Sequence, residues 1–275
     1  MKSKKLLYLY GFLLIVVIWL MFSLRKQINS KSDTYEVRDY PRIKKSGELN
    51  VVTDYNAIGY FVSGDTLAGF QYELLRRLEK DWQIKVNIFL ENKLEENLEG
   101  LLSRRYDIIA RSIPVNIDLR SKVAFTQPIL LNKQVLVQRK AEYNNGIAPI
   151  RQHLELAKKT IYVPANSPVI LRLDNLSHEI GDTIFIMQDP SYETEQLIMK
   201  VAGGDIDFTV CDEKIATQME KRLPEIDIET DIGFTQFDSW AVRKDSPMLL
   251  DSLNIWFSHF KKTKEFQLLI KKYLK

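Results

Sequence analysis

Cysteine and histidine are scarce in this chain of 275 residues. The single cysteine, Cys211, excludes an intramolecular disulfide, and the three histidines (His153, His178 and His259) lie in different segments. The motifs H-E-x-x-H, G-x-S-x-G and G-x-x-x-x-G-K-[ST] are missing. Zinc sites and serine–histidine–aspartate triads need clustered ligands or a positioned base. The sequence therefore predicts no catalytic residue, no metal site and no cofactor.

Charge of either sign is not in excess. The chain has 39 Lys and Arg residues against 36 Asp and Glu residues, which leaves a net charge of +3 at neutral pH. Nucleic-acid-binding domains carry clustered basic residues, and no polybasic segment occurs here. The composition therefore argues against a nucleic-acid partner. The length suits one large or two modest domains, at about 150 residues per domain.

A long hydrophobic run lies at the N-terminus, from Leu6 to Leu24. Its 19 residues are enough to span a bilayer core of about 30 Å. Basic residues flank the run on both sides, and it ends in large residues without a small-residue cleavage site. We expect residues 1–26 to form an uncleaved signal anchor in the cytoplasmic membrane, with its N-terminus inside. The soluble part would face the periplasm or the exterior after a linker over residues 27–44. A cleaved signal peptide is the alternative.

Strand and helix patterns alternate through the soluble part, which is typical of α/β proteins with parallel sheets. Residues 45–132 and 235–275 are predicted to form a first lobe, and residues 133–234 a second. Predicted elements of the first lobe are strands at Gly47–Tyr55, Lys85–Leu90, Asp107–Ala110 and Phe237–Arg243, and helices at Gly69–Trp82, Leu94–Tyr106 and from Leu249 to Leu274. Those of the second are strands at Lys133–Lys140, Thr160–Val163, Thr183–Met187, Ile206–Cys211 and Ile226–Ile232, and helices beginning at Ser167, Ser191 and Asp212.

The stretch Tyr106–Pro128 combines a buried strand with a polar turn. The turn includes Arg111, Asn116 and Arg120, and an apolar run follows it. Ligands of α/β sheets bind at the carboxyl ends of strands, so arginines in such a turn indicate an anion-binding edge. A strand, a solvated turn and a second strand is the alternative.

Four stretches resemble the family 3 extracellular solute-binding proteins. They are G-E-L-N-V-V-T, G-F-Q-Y-E-L-L, Y-D-I-I-A followed by F-T-Q-P, and V-A-G-G-D-I-D-F-T-V-C-D, in this order. Together they cover about residues 45–260, and they resemble most closely the solute-binding-like half of membrane-bound lytic murein transglycosylase F. The resemblance implies an α/β, two-lobed, periplasmic-binding-protein-like (type II) fold with two interlobe crossovers, preceded here by the predicted transmembrane helix.

The resemblance also implies a ligand site in the first lobe. In such proteins the turn after the third strand supplies small or hydroxylic residues and an arginine that grips a carboxylate, a task suited to the guanidinium fork. Ser112 and Asn116 occupy the polar positions and Arg120 is the implied arginine, one place later than the pattern expects. Arg111 stands where the family has a small residue. Tyr55 and Tyr60 match aromatic positions that cover the ligand, and packing is their alternative role.

In the second lobe, the resemblance implies contacts from Ser167 and Asp212. Ser167 lies at a predicted helix N-terminus, whose exposed N–H groups favour anions, and ordinary capping is the alternative. Asp212 matches a carboxylate that binds an amine, and N-capping of the next helix is an equally physical use.

The function implied is that of a membrane-anchored extracytoplasmic protein that binds a small solute in the interlobe cleft. Candidate solutes are an amino acid, a short peptide or a cell-wall fragment. Candidate partners are the cytoplasmic membrane, through Leu6–Leu24, and a permease or the cell-wall machinery.

Three alternatives stay open. A lytic transglycosylase would need its catalytic glutamate in a separate lysozyme-like domain, and we expect none because the chain ends at Lys275, directly after the last predicted helix. A dehydratase would need a carboxylic acid of raised pKa in the cleft, for which Glu73 and Glu213 are available. A non-catalytic regulatory or partner module related to transglycosylase F is the third, and the departures at Arg111 and Arg120 favour it. We expect no enzymatic activity.

Overall fold

The computed structural model describes Met21, residues 38–113, Val115 and residues 117–274. The predicted signal anchor, the linker up to residue 37 and the candidate ligand residue Asn116 lie outside these residues, except for Met21. Within the described ranges, no helix combines the length and the apolar character that a bilayer crossing requires.

The first lobe is built on a five-stranded sheet. Its elements are α1 (Tyr40–Ser46), β1 (Glu48–Thr53), β2 (Phe61–Ser63), β3 (Thr66–Ala68), α2 (Phe70–Trp82), β4 (Lys85–Leu90), α3 (Leu94–Leu102), β5 (Ile108–Ile109), α4 (Ile117–Lys122), β6 (Ala124–Phe125), β14 (Ala241–Val242), α8 (Pro247–Phe260) and α9 (Lys264–Tyr273). The strand order in the sheet is β4-β1-β5-β14-β6. Strands β4, β1 and β5 are parallel, and β14 runs antiparallel to both of its neighbours.

The second lobe is built on a second sheet. Its elements are β8 (Gln134–Arg139), two short 3₁₀ helices (Ala141–Tyr143 and His153–Leu156), β9 (Thr160–Pro164), α5 (Val169–Ile180), β10 (Phe185–Asp189), α6 (Thr194–Gly203), β11 (Thr209–Asp212), α7 (Glu213–Glu220) and β12 (Ile226–Asp231). The strand order in the sheet is β10-β9-β11-β8-β12. Strands β10, β9 and β11 are parallel, while β8 is antiparallel to β11 and β12.

Two short strands connect the lobes. The chain leaves the first sheet through β7 (Leu130–Asn132) and returns from the second through β13 (Gln236–Asp238). These hinge strands, β7 and β13, pair with each other in antiparallel register. The protein therefore has the predicted two-lobed α/β fold with two crossovers. The predicted parallel sheets are mixed instead, because the strand that follows each crossover runs back along its sheet.

The predicted strand Phe237–Arg243 is wrong as a single element. It is divided into β13 and β14, which pair with different partners on either side of Ser239 and Trp240. Trp240 is fully buried, and its indole N–H donates to Gln71 Oε1 at 2.8 Å. The break arises because the chain leaves the hinge ladder and enters the first sheet at this point.

The predicted linker also ends earlier than expected, because Tyr40–Ser46 forms α1. Ile43 on this helix is fully buried in the core of the first lobe. Asp39 caps α1 by accepting from Tyr40 N at 2.7 Å and also accepts from Leu249 N of α8 at 2.7 Å. A seven-residue helix with one buried apolar side chain has too little periodicity to be recognised in sequence.

Gly69 allows the loop after β1 to dock against the N-terminus of α2. Its φ is +132°, and an added Cβ would lie 2.2 Å from Gly59 O. Phe70 N donates to Ile58 O at 2.7 Å and Tyr72 N donates to Gly59 O at 3.1 Å. Only glycine combines this backbone conformation with so close an approach.

We predict that Gly69→Ala lowers the free energy of unfolding by about 3 kcal/mol or more, because backbone strain adds to steric overlap. Gly64→Ala is the matched control, since Gly64 has a φ of +61° but an added Cβ would meet nothing within 4 Å. Its cost should be roughly 1–2 kcal/mol. Chemical denaturation of the full-length chain measures both, and equal losses would contradict the docking role of Gly69.

Candidate ligand-binding cleft

A cavity of about 320 Å³ lies between the two lobes. A neighbouring cavity of about 240 Å³ shares part of its wall, including Arg111, Ser167 and Glu193; the two together are called the cleft here. Asp54 follows β1, Arg111 and Ser112 follow β5, and Asp212 ends β11. Both lobes thus present the carboxyl ends of their parallel strands to the cleft, which is where ligands of α/β sheets bind.

Arg111 is held by two groups of its own lobe. Its Nη2 lies 3.1 Å from Asp54 Oδ2, and its Nη1 donates to Asn92 O at 2.7 Å. The Arg111 side chain is only 17% exposed. Charge-assisted bonds of this kind are strong, so the guanidinium is fixed at the cleft wall.

Asp212 connects the lobes. Its Oδ2 accepts from the Ser112 hydroxyl at 2.9 Å, and Asn132 Nδ2 of β7 lies 3.4 Å from the same hydroxyl oxygen. Asp212 occupies the N-cap position of α7, yet its side chain makes no capping bond. Burial, and next the charge of Asp238 on β13, raise the pKa of the Asp212 carboxyl to about 7. The carboxyl is therefore available to a ligand or a proton near neutral pH.

Glu193 and Glu195 extend the acidic wall at the N-terminus of α6. Burial raises the pKa of Glu195, while the N–H of Ala57, which donates to Glu195 Oε1 at 2.5 Å, lowers it. Burial also raises the pKa of Glu193, against the opposing charges of Arg111 and Lys93. Glu195 and Ala57 form a second hydrogen bond between the lobes.

Ser167 lines both cavities, and its helix begins one residue later than predicted. Helix α5 begins at Val169 with Pro168 at the N-cap position. The Ser167 hydroxyl accepts from Val169 N at 3.4 Å, and its carbonyl accepts from Ile170 N at 3.1 Å. Pro168 itself has helical backbone angles, with φ −58° and ψ −18°, which its ring favours in a first turn.

Two predicted site residues lie elsewhere. Arg120 is exposed on α4 and does not line the cleft. The predicted turn is a helix there, and Leu119 points into the lobe with 8% exposure, so its neighbour Arg120 turns outwards. Tyr60 is 9% exposed and packs edge-on against Tyr72, with the two ring centroids 5.5 Å apart. It is not among the residues that line the cleft. Tyr55 does line it, with 47% exposure.

Sequence reasoning missed several wall residues, namely Asp54, Asn92, Gln134, Glu193 and Glu195. Asp54 and Asn92 follow the ends of parallel strands, so the rule that placed Arg111 could have found them. Gln134 had no local signal. The two carboxylates considered for a dehydratase lie outside the cleft lining: Glu73 accepts from Tyr273 and Lys272, and Glu213 pairs with Lys133 at 3.2 Å.

The family model of the "bacterial extracellular solute-binding proteins, family 3" matches residues 49–275. A curated relative, membrane-bound lytic murein transglycosylase F of Desulfosudis oleivorans, is 28% identical over 233 residues, which are 84% of this chain and 50% of the relative. The chain thus spans about half the length of the curated relatives it matches. The resemblance predicted from the sequence is confirmed.

Solved structures show the same fold. An ancestral arginine-binding protein bound to arginine superposes with a TM-score of 0.72 and 20% identity, covering 83% of this chain and 99% of that one. A putative binding component of an ABC transporter from Wolinella succinogenes, complexed with lysine, gives a TM-score of 0.71 and 17% identity, covering 83% and 96%. These matches support the two-lobed fold.

We predict that Asp212 makes stability fall as pH rises. Because its pKa is raised from 3.8 to about 7, its contribution is largest below the lower value and is lost by the upper one. Asp238 on β13 contributes to this shift by its charge, so the loss belongs to the pair of carboxyl groups. Denaturation of the full-length chain at several pH values should show a wild-type stability that declines across this window relative to Asp212→Asn.

The control is Asp251→Asn, which changes an exposed carboxylate of α8. Its stability should follow that of the wild type across the pH range. A constant difference between wild type and Asp212→Asn at all pH values would contradict the raised pKa.

Proposed function

The chain belongs to the bacterial extracellular solute-binding proteins of family 3, and we propose that it binds a small solute in the cleft between its lobes, outside the cytoplasmic membrane. The observation that carries this proposal is the cavity of about 320 Å³, which takes polar side chains from both lobes. Its volume lies at the lower end of the range of about 300–1,000 Å³ for small-molecule sites. A solute bound there contacts both lobes at once.

Binding is coupled to closure about the hinge strands. Hydrogen bonds already join the lobes across the cleft: Ser112 to Asp212 at 2.9 Å, Ala57 N to Glu195 at 2.5 Å, and Asn166 Nδ2 to Glu95 Oε2 at 2.9 Å. Two paired three-residue strands are the connection about which such lobes rotate. A solute that contacts both lobes favours the closed arrangement by its differential affinity.

Candidate solutes are an amino acid, a short peptide or a cell-wall fragment. Two structural neighbours carry arginine and lysine, which supports an amino acid or a related compound. The curated relative is named a lytic murein transglycosylase, which supports a cell-wall fragment. We propose that Leu6–Leu24 anchors the chain in the cytoplasmic membrane, with a permease or the cell-wall machinery as partner.

A second candidate is a non-catalytic regulatory or partner module whose cleft holds no solute. The Arg111–Asp54 ion pair at 3.1 Å favours it, because these side chains occupy part of the wall that a ligand would contact. The remaining cavity volume and the half-exposed Tyr55 favour the solute-binding function.

We predict that the full-length chain shows a rise in melting temperature with one class in a panel of amino acids, dipeptides, amines and muropeptides. A ligand that binds only the folded state raises the midpoint in a concentration-dependent way. Ser167→Trp should abolish the shift, because Ser167 lines both cavities and an indole ring at this position would occupy the space that a ligand needs. Ser121→Trp, on the exposed side of α4, is the matched control and should keep it.

Arg120→Ala decides between the sequence expectation and the cleft geometry. Because Arg120 is exposed outside the cleft lining, the shift should persist with Arg120→Ala as it does with Lys122→Ala on the same helix. Loss of the shift in melting temperature with Arg120→Ala, but not with Lys122→Ala, would show that Arg120 is part of the ligand site. No shift with any compound would support the partner module.

We also predict that the full-length chain sediments with membranes and resists alkaline extraction, because the apolar run Leu6–Leu24 is long enough to span a bilayer. A variant lacking residues 1–26 should appear in the soluble fraction. Complete alkaline extraction of the full-length chain would contradict the anchor and favour a cleaved signal peptide.

A further inference from the structure

Carboxylates dominate the lining of the cleft. Among the described residues that line the larger cavity, four are acidic and one is basic: Asp54, Glu193, Glu195 and Asp212 against Arg111. The smaller cavity adds Glu95, Glu96 and Asp189 against Lys93. A concave surface of one dominant sign concentrates ligands of the opposite charge.

The basic groups of the cleft are poorly placed to receive an anion. Both terminal nitrogens of Arg111 are engaged, one by Asp54 Oδ2 and the other by Asn92 O. Lys93 is exposed and lines only the smaller cavity, and Arg120 is not among the residues that line either cavity. Asp54 already pairs with the positive charge of Arg111, which weakens the attraction of the remaining Arg111 N–H groups for a ligand carboxylate.

Two wall residues carry buried acceptor atoms that lack a hydrogen-bond partner among the described residues. They are Asp54 Oδ1 and Gln134 Oε1, on side chains whose residues are 9% and 8% exposed. Unpaired buried acceptors cost free energy until a donor reaches them. Both require a donor, which an ammonium or guanidinium group supplies and a carboxylate does not.

The titration of the wall carboxylates points the same way. Burial raises the pKa of Glu195 even with Arg222 and the Ala57 N–H opposing the shift and Asp54 adding to it. Burial raises the pKa of Glu193 although Arg111 and Lys93 oppose it, with Asp54 and Glu91 adding to it. Buried carboxylates with raised pKa values lack sufficient positive charge nearby. A cation bound between them would favour their ionised forms and release protons.

We infer that the cleft takes a cationic organic amine, recognised through its ammonium or guanidinium groups rather than through a carboxylate. This inference rests on the proposed solute-binding function and names the substrate class of the same site. The acidic residues of α6 face the cation from the second lobe, and Asp54 faces it from the first. Such a cation bridges the lobes by charge and fills the acceptor atoms of Asp54 and Gln134.

Matched compounds separate the two kinds of recognition. L-lysine, 1,5-diaminopentane and 2-aminohexanoic acid share the five carbons from the amine-bearing carbon to the far end of the chain. The second compound lacks the carboxylate, and the third lacks the side-chain ammonium. Thermal unfolding and calorimetry of the full-length chain should show binding of L-lysine and 1,5-diaminopentane and loss of binding with 2-aminohexanoic acid. Agmatine and L-arginine test the guanidinium in the same way, and L-glutamate is the anionic control.

Isosteric neutral variants test the named carboxylates. Glu193→Gln and Glu195→Gln should each weaken binding of 1,5-diaminopentane by about tenfold to a hundredfold, as expected for a charge-assisted hydrogen bond. Asp251→Asn, an exposed carboxylate outside the cleft, should leave the affinity unchanged. Affinity should rise with pH as Glu193 and Glu195, whose pKa values are raised by burial, become ionised, with proton release on binding.

Three outcomes separate this inference from the proposed function. Binding of L-lysine and 1,5-diaminopentane without binding of 2-aminohexanoic acid supports both the cationic class and the solute-binding function. Binding of L-glutamate, 2-aminohexanoic acid or a muropeptide without binding of the diamine overturns the cationic class and keeps solute binding. Absence of binding with every compound overturns both.

Discussion

The antiparallel pairing of β7 with β13 is the constraint on which the rest of the structure depends. The chain enters the second lobe after Asn132 and leaves it before Gln236, and these two residues pair with each other. The strand that follows each hinge strand enters its sheet antiparallel to its neighbour. Gln134 of β8 therefore lies beside Asp212 of β11, and Ala241 of β14 lies beside Ile109 of β5. The carboxyl ends of the parallel strands in both sheets therefore face one gap, and that gap is the cleft.

Carboxylates are treated differently in the lobe and in the cleft. In the first lobe, the fully buried Asp107 side chain pairs with Arg38 at 2.8 Å and Arg243 at 3.2 Å and accepts from Asn50 N at 3.0 Å. A buried charge is tolerated when it is paired and hydrogen-bonded in this way. In the cleft, burial raises the pKa values of Glu193, Glu195 and Asp212. Together with the acidic lining of the cleft and the unpaired acceptor atoms of Asp54 and Gln134, this contrast supports the assignment of the cleft carboxylates to a ligand.

Much of the fold could be predicted from local patterns. Helix α2 (Phe70–Trp82) begins within one residue of its prediction because Phe70, Leu74, Leu75 and Leu78 repeat at helical spacing and are all buried. The prediction for α3 ran four residues too far, to Tyr106. The helix ends at Leu102 and Arg104 has a φ of +66°, after which Tyr106 packs on Gly100. Apolar spacing alone does not indicate where the backbone leaves the helical region.

The sequence by itself determined the family, the alternation of strands and helices, and the two crossovers, because these depend on periodicities and on the order of short motifs. It also placed Arg111 and Ser112 in the turn after a strand, Ser167 at a helix N-terminus and Asp212 at a strand end. Only the tertiary structure decided that Arg120 faces away, that Arg111 pairs with Asp54, and that Glu193 and Glu195 complete the wall. The reason is physical: which face of a short helix is buried, and which side chains meet across two lobes, depends on contacts between residues far apart in the chain.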